Sequence, residues 1–349
     1  MNPPGKVFLL LLLVLSLRSL SFGWGCSGHE IVALIAQRQL SDVAAQKVLL
    51  LLKSPGLYVN SKPGRGCNPR KYNLTNPSDL GLMAFYATFA DDFRNTNKST
   101  APWHFWDVPL NSTTGPDLPQ FCDKGCVVKA IQDQIDVLKS PSATKRARSK
   151  ALALLIHFVG DLHQPLHIAD NNDRGGNCVP VKFFGDEPSI SESGTGAAPN
   201  LHGIWDTGIP EKIGHIRHAT HDDDVAQYVD TLMSDFETDM ATWKTQPVDV
   251  RAWALESHSH AVKESYGDLP TTIDGEDPVA INTCADDDNV LQRMLDLDET
   301  VNQKYVDLVK PVIEEQLARA GTRLAVILNQ IFTTNRPPER RLNPRRLRL

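Results

Sequence analysis

Along most of this chain apolar residues return every three or four positions, the period of an amphipathic helix. The pattern predicts helices over residues 30–40 and 43–53, the second stopped by Pro55-Gly56. Another begins at Ser78-Asp79 and runs to residue 94. Further helices are predicted over 127–139, 145–163, 225–244, 250–266 and 301–332. Strand signals are few, and 178–184 is the clearest. Residues 185–200 are Gly/Ser-rich and 267–289 are acidic with proline, and neither has the character of a linker between independent domains. No internal repeat is present. The expectation is an all-α fold: one mainly helical domain with at most a short β-hairpin, and chemistry on helix ends and loops.

The N-terminus departs from this pattern. Lys6 precedes an unbroken apolar run over 7–15, and Ser21-Phe22-Gly23 puts small residues at the two positions a signal peptidase reads. A membrane span needs ~20 apolar residues, so residues 1–23 read as a secretory signal and not as a transmembrane anchor. The mature chain then starts at Trp24, with a domain over 24–335 and a tail over 336–349. Six cysteines in a secreted chain suggest up to three disulfides. Cys122 and Cys126 are spaced for a local bridge, whereas the pairing of Cys26, Cys67, Cys178 and Cys284 is left open. Asn73, Asn97 and Asn111 each head an N-x-S/T glycosylation tripeptide.

Charge narrows the function classes. The chain carries −6, and losing Lys6 and Arg18 with the signal takes this to −8. The tail holds six Arg and one Glu, so residues 24–335 stand at −13. Such a body lacks the basic footprint of a duplex-DNA binder. If its substrate is anionic, bound cations must supply much of the attraction. The tail reads as a disordered basic extension.

Candidate chemistry falls in five clusters. Trp24-Gly25-Cys26-Ser27-Gly28-His29 sets a free α-amine five residues before an imidazole; such an amine titrates near ~8 and can be deprotonated by a metal at neutral pH. Phe89-Ala90-Asp91-Asp92-Phe93-Arg94 ends a predicted helix, and Trp103-His104-Phe105-Trp106-Asp107 is aromatic-rich. In the segment His157 to His167, His157 and Asp161 are four apart on an apolar helix and share one face. Pro165 then breaks the helix and turns His167 back beside them. His202 and Asp206 repeat the four-residue spacing. A buried histidine and carboxylate need partners or a metal, and His, Asp and amine donors suit zinc.

In this order the motifs resemble the zinc-dependent class I nucleases of fungi, plants and microbes, the S-one/P-one type. The matching series is Trp-Gly-x-x-Gly-His, Ala-Asp-x-x-Arg, His-Phe-x-Asp, His-Phe-x-Gly-Asp with Gln-Pro-Leu-His, Gly-Gly-Asn, and Leu-His-x-x-Trp-Asp, all within residues 24–206. The resemblance implies three zinc ions. Asp91, His104, His157 and Asp161 would hold one; Trp24 (amine and carbonyl), His29 and the bridging Asp161 its neighbour; His167, His202 and Asp206 the third. Asp91 is preferred to Asp92 because it aligns with the Ala-Asp motif. Arg94 would stabilise phosphate charge, while Phe105, Asp107 and Asn177 would form a base site. The implied activity is secreted hydrolysis of single-stranded DNA and RNA to 5′-phosphates, with 3′-nucleotidase activity and no stable protein partner. A zinc phospholipase C of related fold and a non-catalytic zinc protein are the alternatives. Phe89, where many relatives have Trp, and Cys178, directly after Gly-Gly-Asn, depart from the pattern. His163 reads as a surface residue or an outer contact of the site, His215, His218 and His221 as a polar loop, and His258 and His260 as structural.

Overall fold

The computed structural model describes residues 24–54, 57, 81–112, 122, 125–267, 269 and 281–333. The expected signal and tail, Ser78-Asp79, Cys67 and Asn73 lie outside the described residues. In chain order the helices are α1 (Cys26–Arg38), α2 (Asp42–Leu52), α3 (Leu82–Phe85), α4 (Phe89–Thr96), α5 (Val127–Lys139) and α6 (Lys145–Leu162). They continue as α7 (Leu201–Gly203), α8 (Ile209–Ile213), α9 (His221–Asp235), α10 (Glu237–Trp243), α11 (Val250–His260), α12 (Asp288–Asp296) and α13 (Gln303–Thr333). The strands are β1 (Val181–Phe183), β2 (Ser189–Ile190), β3 (Ala197–Ala198) and β4 (Glu299–Val301). The fold is mainly α, as the apolar spacing predicts.

Local sequence starts the helices and burial holds them. Ser41 and Thr144 cap α2 and α6 by accepting from Ala44 N and Ala147 N, and Asp249 caps α11 through Ala252 N; each such cap contributes about 1 kcal/mol. Every side chain of α6 from Ala151 to Leu162 is buried, which makes it the central helix. The long α13 lies close along α1: a Cβ on Gly321 would sit 2.5 Å from Ile35 Cγ2, so only glycine permits this approach. Trp205 Nε1 donates to Tyr305 Oη, which donates to Ser265 O, tying α13 to the core.

Several predicted boundaries shift. The helix expected up to residue 94 is interrupted at Tyr86–Thr88, between α3 and α4. The interruption leaves the Ala87 carbonyl facing His157 Nδ1 at 2.7 Å, whereas a continuous helix would spend it on the amide four residues later. The 225–244 prediction starts earlier, with three aspartates in the first turn favouring that end of the helix, and is split at Phe236 into α9 and α10. The start of 301–332 is strand, not helix. Val301 belongs to β4, which pairs in parallel with β1, in register Val181 to Glu299. The clearest strand signal therefore finds a partner from far along the sequence, beyond the single hairpin expected; the short hairpin itself is β2 with β3. Cys122 is bridged to Cys126 and Cys178 to Cys284, and Cys26 is also disulfide-bonded. Among the described residues no helix is long and apolar enough to cross a membrane.

Candidate metal centre

The C-terminal half of α6 carries His157 and Asp161 on one face, both fully buried. Three other elements converge on them. The turn over Lys98–His104 brings His104 Nδ1 to 3.0 Å from Asp161 Oδ2 and 3.1 Å from His157 Nε2. From α4, Asp91 places its two oxygens 3.8 Å from His104 Nδ1 and His157 Nε2. On the other side α1 lays His29 flat on His157, rings 3.9 Å apart, with Nε2 3.3 Å from Asp161 Oδ1. This stacking requires Gly160, because a Cβ there would meet His29 Nδ1 at 2.7 Å. Asp161 thus turns Oδ2 toward His104 and His157 and Oδ1 toward His29.

A second group forms where the chain leaves α6. The turn Pro165–His167 and the segment entering the π-turn at Ile204–Gly208 bring His167 Nε2 to 3.1 Å from His202 Nε2. His202 Nε2 is 3.4 Å from Asp206 Oδ2. Three sets of donors gather closely enough to hold a metal ion: His29, His157 and Asp161; Asp91, His104 and His157; and His167, His202 and Asp206. Asp92, though buried, belongs to none of them.

The donor chemistry fits a cation. His157, His167 and His202 each turn Nδ1 to a backbone carbonyl, at 2.7 Å to Ala87, 2.7 Å to His104 and 2.6 Å to Gly175. In the neutral rings those contacts assign the proton to Nδ1 and leave Nε2 as the atom that can ligate a metal. His167 and His202 thus face one another through Nε2 in a buried site, an arrangement that suits a cation between them. Asp91 Oδ1, Asp161 Oδ1 and both ring nitrogens of His29 are buried without a hydrogen-bond partner. In the protein alone, burial raises Asp91 to about 6 and lowers His29 to about 4 and His104 to about 3. Burial also disfavours charged His157, but the Asp161 and Asp91 carboxylates outweigh it and lift it to about 9. Burial pushes Asp206 well above the usual carboxylate range.

Trp24 is fully buried beside this centre. Gly25 N donates to the Asp206 carbonyl at 2.7 Å, and a Cβ on Gly28 would sit 2.6 Å from Trp24 Cβ. Arg94, also buried, has Nη2 3.5 Å from Asp91 Oδ1. Phe105 and Asp107 are half-buried on a segment running alongside the Pro165–His167 turn, with Trp106 N donating to His167 O and Asp170 N to Val108 O. Burial raises the Asp107 carboxyl to about 6, against the pull of Arg174. Asn177 follows Gly175 and Gly176, whose positive φ angles of 61° and 84° bend the loop around His202, and its Nδ2 donates to Arg174 O.

Two expectations about the remaining polar residues change. His163 is not at the surface: it is fully buried, with Nδ1 on Val159 O and Nε2 3.0 Å from Arg323 Nη1. His221 pairs with Glu30 at 2.7 Å instead of joining His215 and His218 in a loop cluster. His258 is structural, bonded to Pro109 O. Gln164 and Arg174 carry no role in the sequence reading, yet each reaches a candidate site residue, Gln164 the carboxylate of Asp206 and Arg174 the field around Asp107. Their signal was adjacency: both lie inside quoted or neighbouring motif segments.

The family model for S1/P1 nuclease matches residues 24–333. Nuclease S1 of Aspergillus oryzae is 30% identical over 335 residues, covering 91% of this chain and 94% of its own. Endonuclease 2 of Arabidopsis thaliana is 27% identical over 326 residues, 89% of this chain and 91% of its own. Nuclease P1 of Penicillium citrinum is 27% identical over 326 residues, 88% of this chain and 97% of its own.

Proposed function

Because the chain belongs to the S1/P1 nuclease family, we propose that it is a three-zinc nuclease that hydrolyses single-stranded DNA and RNA to 5′-phosphates. The observation that carries this reading is the orientation of Asp161, one oxygen toward His29 and the other toward His104 and His157. Asp91, His104, His157 and Asp161 would hold one ion, and Asp161 with His29 and the Trp24 amine and carbonyl would hold its neighbour. His167, His202 and Asp206 would hold the third. What bound zinc supplies is Lewis acidity, toward water and toward phosphoryl oxygens.

The chain's own residues do the rest. Asp91 Oδ1, buried and unpaired by hydrogen bonds, accepts a proton from a water and orients it for in-line attack on phosphorus, which breaks the bond from phosphorus to the 3′-oxygen and releases that oxygen as the 3′-hydroxyl. The Arg94 guanidinium neutralises charge on the phosphoryl oxygens as it builds up. Phe105 stacks on a base, and Asp107 and Asn177 hydrogen-bond its edge. A base stacked inside a duplex cannot enter such a slot, so single strands are preferred. Cleavage of terminal 3′-phosphates breaks the same bond and is expected as well. Secretion, with cleavage after Gly23, exposes the Trp24 amine. The family match favours nuclease activity over the phospholipase C alternative. Zinc per chain, measured together with the end groups released from a single-stranded oligonucleotide, tests the reading. A protein with fewer than three zincs at full activity, or 3′-phosphate products, would overturn it.

A further inference from the structure

Gln164 is fully buried between His163 and Pro165, and both ends of its amide are engaged. Oε1 accepts from Leu166 N at 2.6 Å and so caps the turn that carries His167. Nε2 donates to Asp206 Oδ1 at 2.5 Å. The backbone N–H on Oε1 fixes which way the amide faces, since a flipped amide would set donor against donor there and acceptor against carboxylate at Asp206. The donor therefore occupies Oδ1 of Asp206 and leaves Oδ2, the oxygen nearer His202 Nε2, for an ion. One side chain orients the carboxylate of the His167, His202 and Asp206 group and holds the turn that presents one of its two histidines.

We propose that Gln164 is a positioning residue of the metal centre: it makes Asp206 a one-oxygen ligand, locks the His167 turn, and thereby sets the affinity and geometry of the third metal. The inference rests on reading His167, His202 and Asp206 as a metal group. Gln164 touches neither substrate nor metal and acts only through these ligands. Its substitution weakens one metal out of three. Loss of an outer partner of a metal ligand lowers affinity by about 10–100-fold.

The test compares holoprotein with Gln164→Glu, Gln164→Met and His202→Ala. Zinc per chain and zinc affinity by chelator competition are measured for each, with the visible absorption of the cobalt-substituted proteins as a report on ligand geometry. Circular dichroism of the metal-free forms checks folding. Gln164→Glu still accepts from Leu166 N but offers Asp206 an acceptor in place of a donor. It should lower the affinity of one zinc by about 10–100-fold, spare the other two, and alter the cobalt spectrum. Gln164→Met, which loses both bonds, should do so at least as strongly. His202→Ala should lose that same zinc. Wild-type zinc affinity and cobalt spectrum in both Gln164 variants, with one zinc lost in His202→Ala, would overturn the proposal alone. Three tightly bound zincs in His202→Ala would overturn the reading of the group and the proposal with it.

Discussion

The two parts of the metal centre are built differently. The Asp161 part stands on α6, a helix buried along its whole C-terminal half, with His157 and Asp161 held by helical spacing and close packing. The His167, His202 and Asp206 part stands on a three-residue turn, a short helix and a π-turn, and is held by hydrogen bonds from side chain to backbone. Packing carries most of the first part, with one side-chain-to-backbone bond, His157 Nδ1 to Ala87 O, beside it. The second part depends on individual bonds, so single polar substitutions away from the ligands should reach it. Donor groups are thus brought together either by a scaffold or by a network.

The sharpest way to break the scaffold side is Asp161→Asn. A neutral amide bridges two dications poorly, and even outer-shell losses cost 10–100-fold at metal sites. Activity should therefore fall by more than about 100-fold, with zinc released from that part while the His202 group keeps its own. Near-normal turnover with full zinc content would remove Asp161 as the bridge.

Next is the N-terminus, which joins the two parts through Gly25 N and the Asp206 carbonyl. A protein beginning Gly-Trp24 converts the proposed amine ligand into an amide with no available lone pair. It should lose one zinc and most activity yet keep its helical spectrum. Mass spectrometry verifies the terminus, and equal cleavage rates for extended and mature proteins would count against the amine.

Metal removal separates the parts by pH. In the metal-free protein His157 is raised to about 9 by its carboxylate neighbours against burial. A histidine with a raised folded pKa contributes stability that is fully present below its unfolded pKa of about 6.5 and lost as pH rises through 9. The melting temperature of the metal-free protein should therefore fall between pH 7 and 9. The zinc-loaded protein should not share this fall, because a ligating histidine is already neutral. Parallel melts of the two forms, and of metal-free His157→Gln, in which the fall should shrink, check this.

The smallest expected effect lies outside both parts. Phe105→Ala should weaken single-strand binding by about 1–3 kcal/mol if a base stacks there, with zinc content unchanged. A drop in melting temperature without a change in binding would instead make Phe105 a packing residue.

How much of this was legible in the sequence follows the same division. The His157/Asp161 pair could be placed from spacing alone because α6 is a regular helix with apolar neighbours on every side. The His202/Asp206 pair has the same spacing, but it spans α7 and a π-turn, and its partner His167 depends on a turn whose cap, Gln164, shows no periodic signal. The break between α3 and α4 was invisible for a related reason. It serves the Ala87 carbonyl's contact with His157, a tertiary demand that local propensity does not encode. The parallel pairing of β1 with β4 joins segments more than one hundred residues apart, so nothing near Val181 announces it. The surface reading of His163 failed because its partner Arg323 lies in α13, far along the sequence.

Cys178 follows Asn177 directly and is bridged to Cys284, in the segment that also brings Arg293 Nη2 to the Asn171 carbonyl at 2.8 Å. The loop beside the proposed base site is therefore fastened covalently to a part of the chain made more than one hundred residues later. Maturation then has two requirements, an oxidant for the disulfides and a metal supply for the His/Asp donors. A zinc-loaded chain that lacks only the Cys178–Cys284 bridge should cleave phosphodiesters with its discrimination among bases blurred. Selectivity would then depend on the oxidants of the cell as well as on its metals.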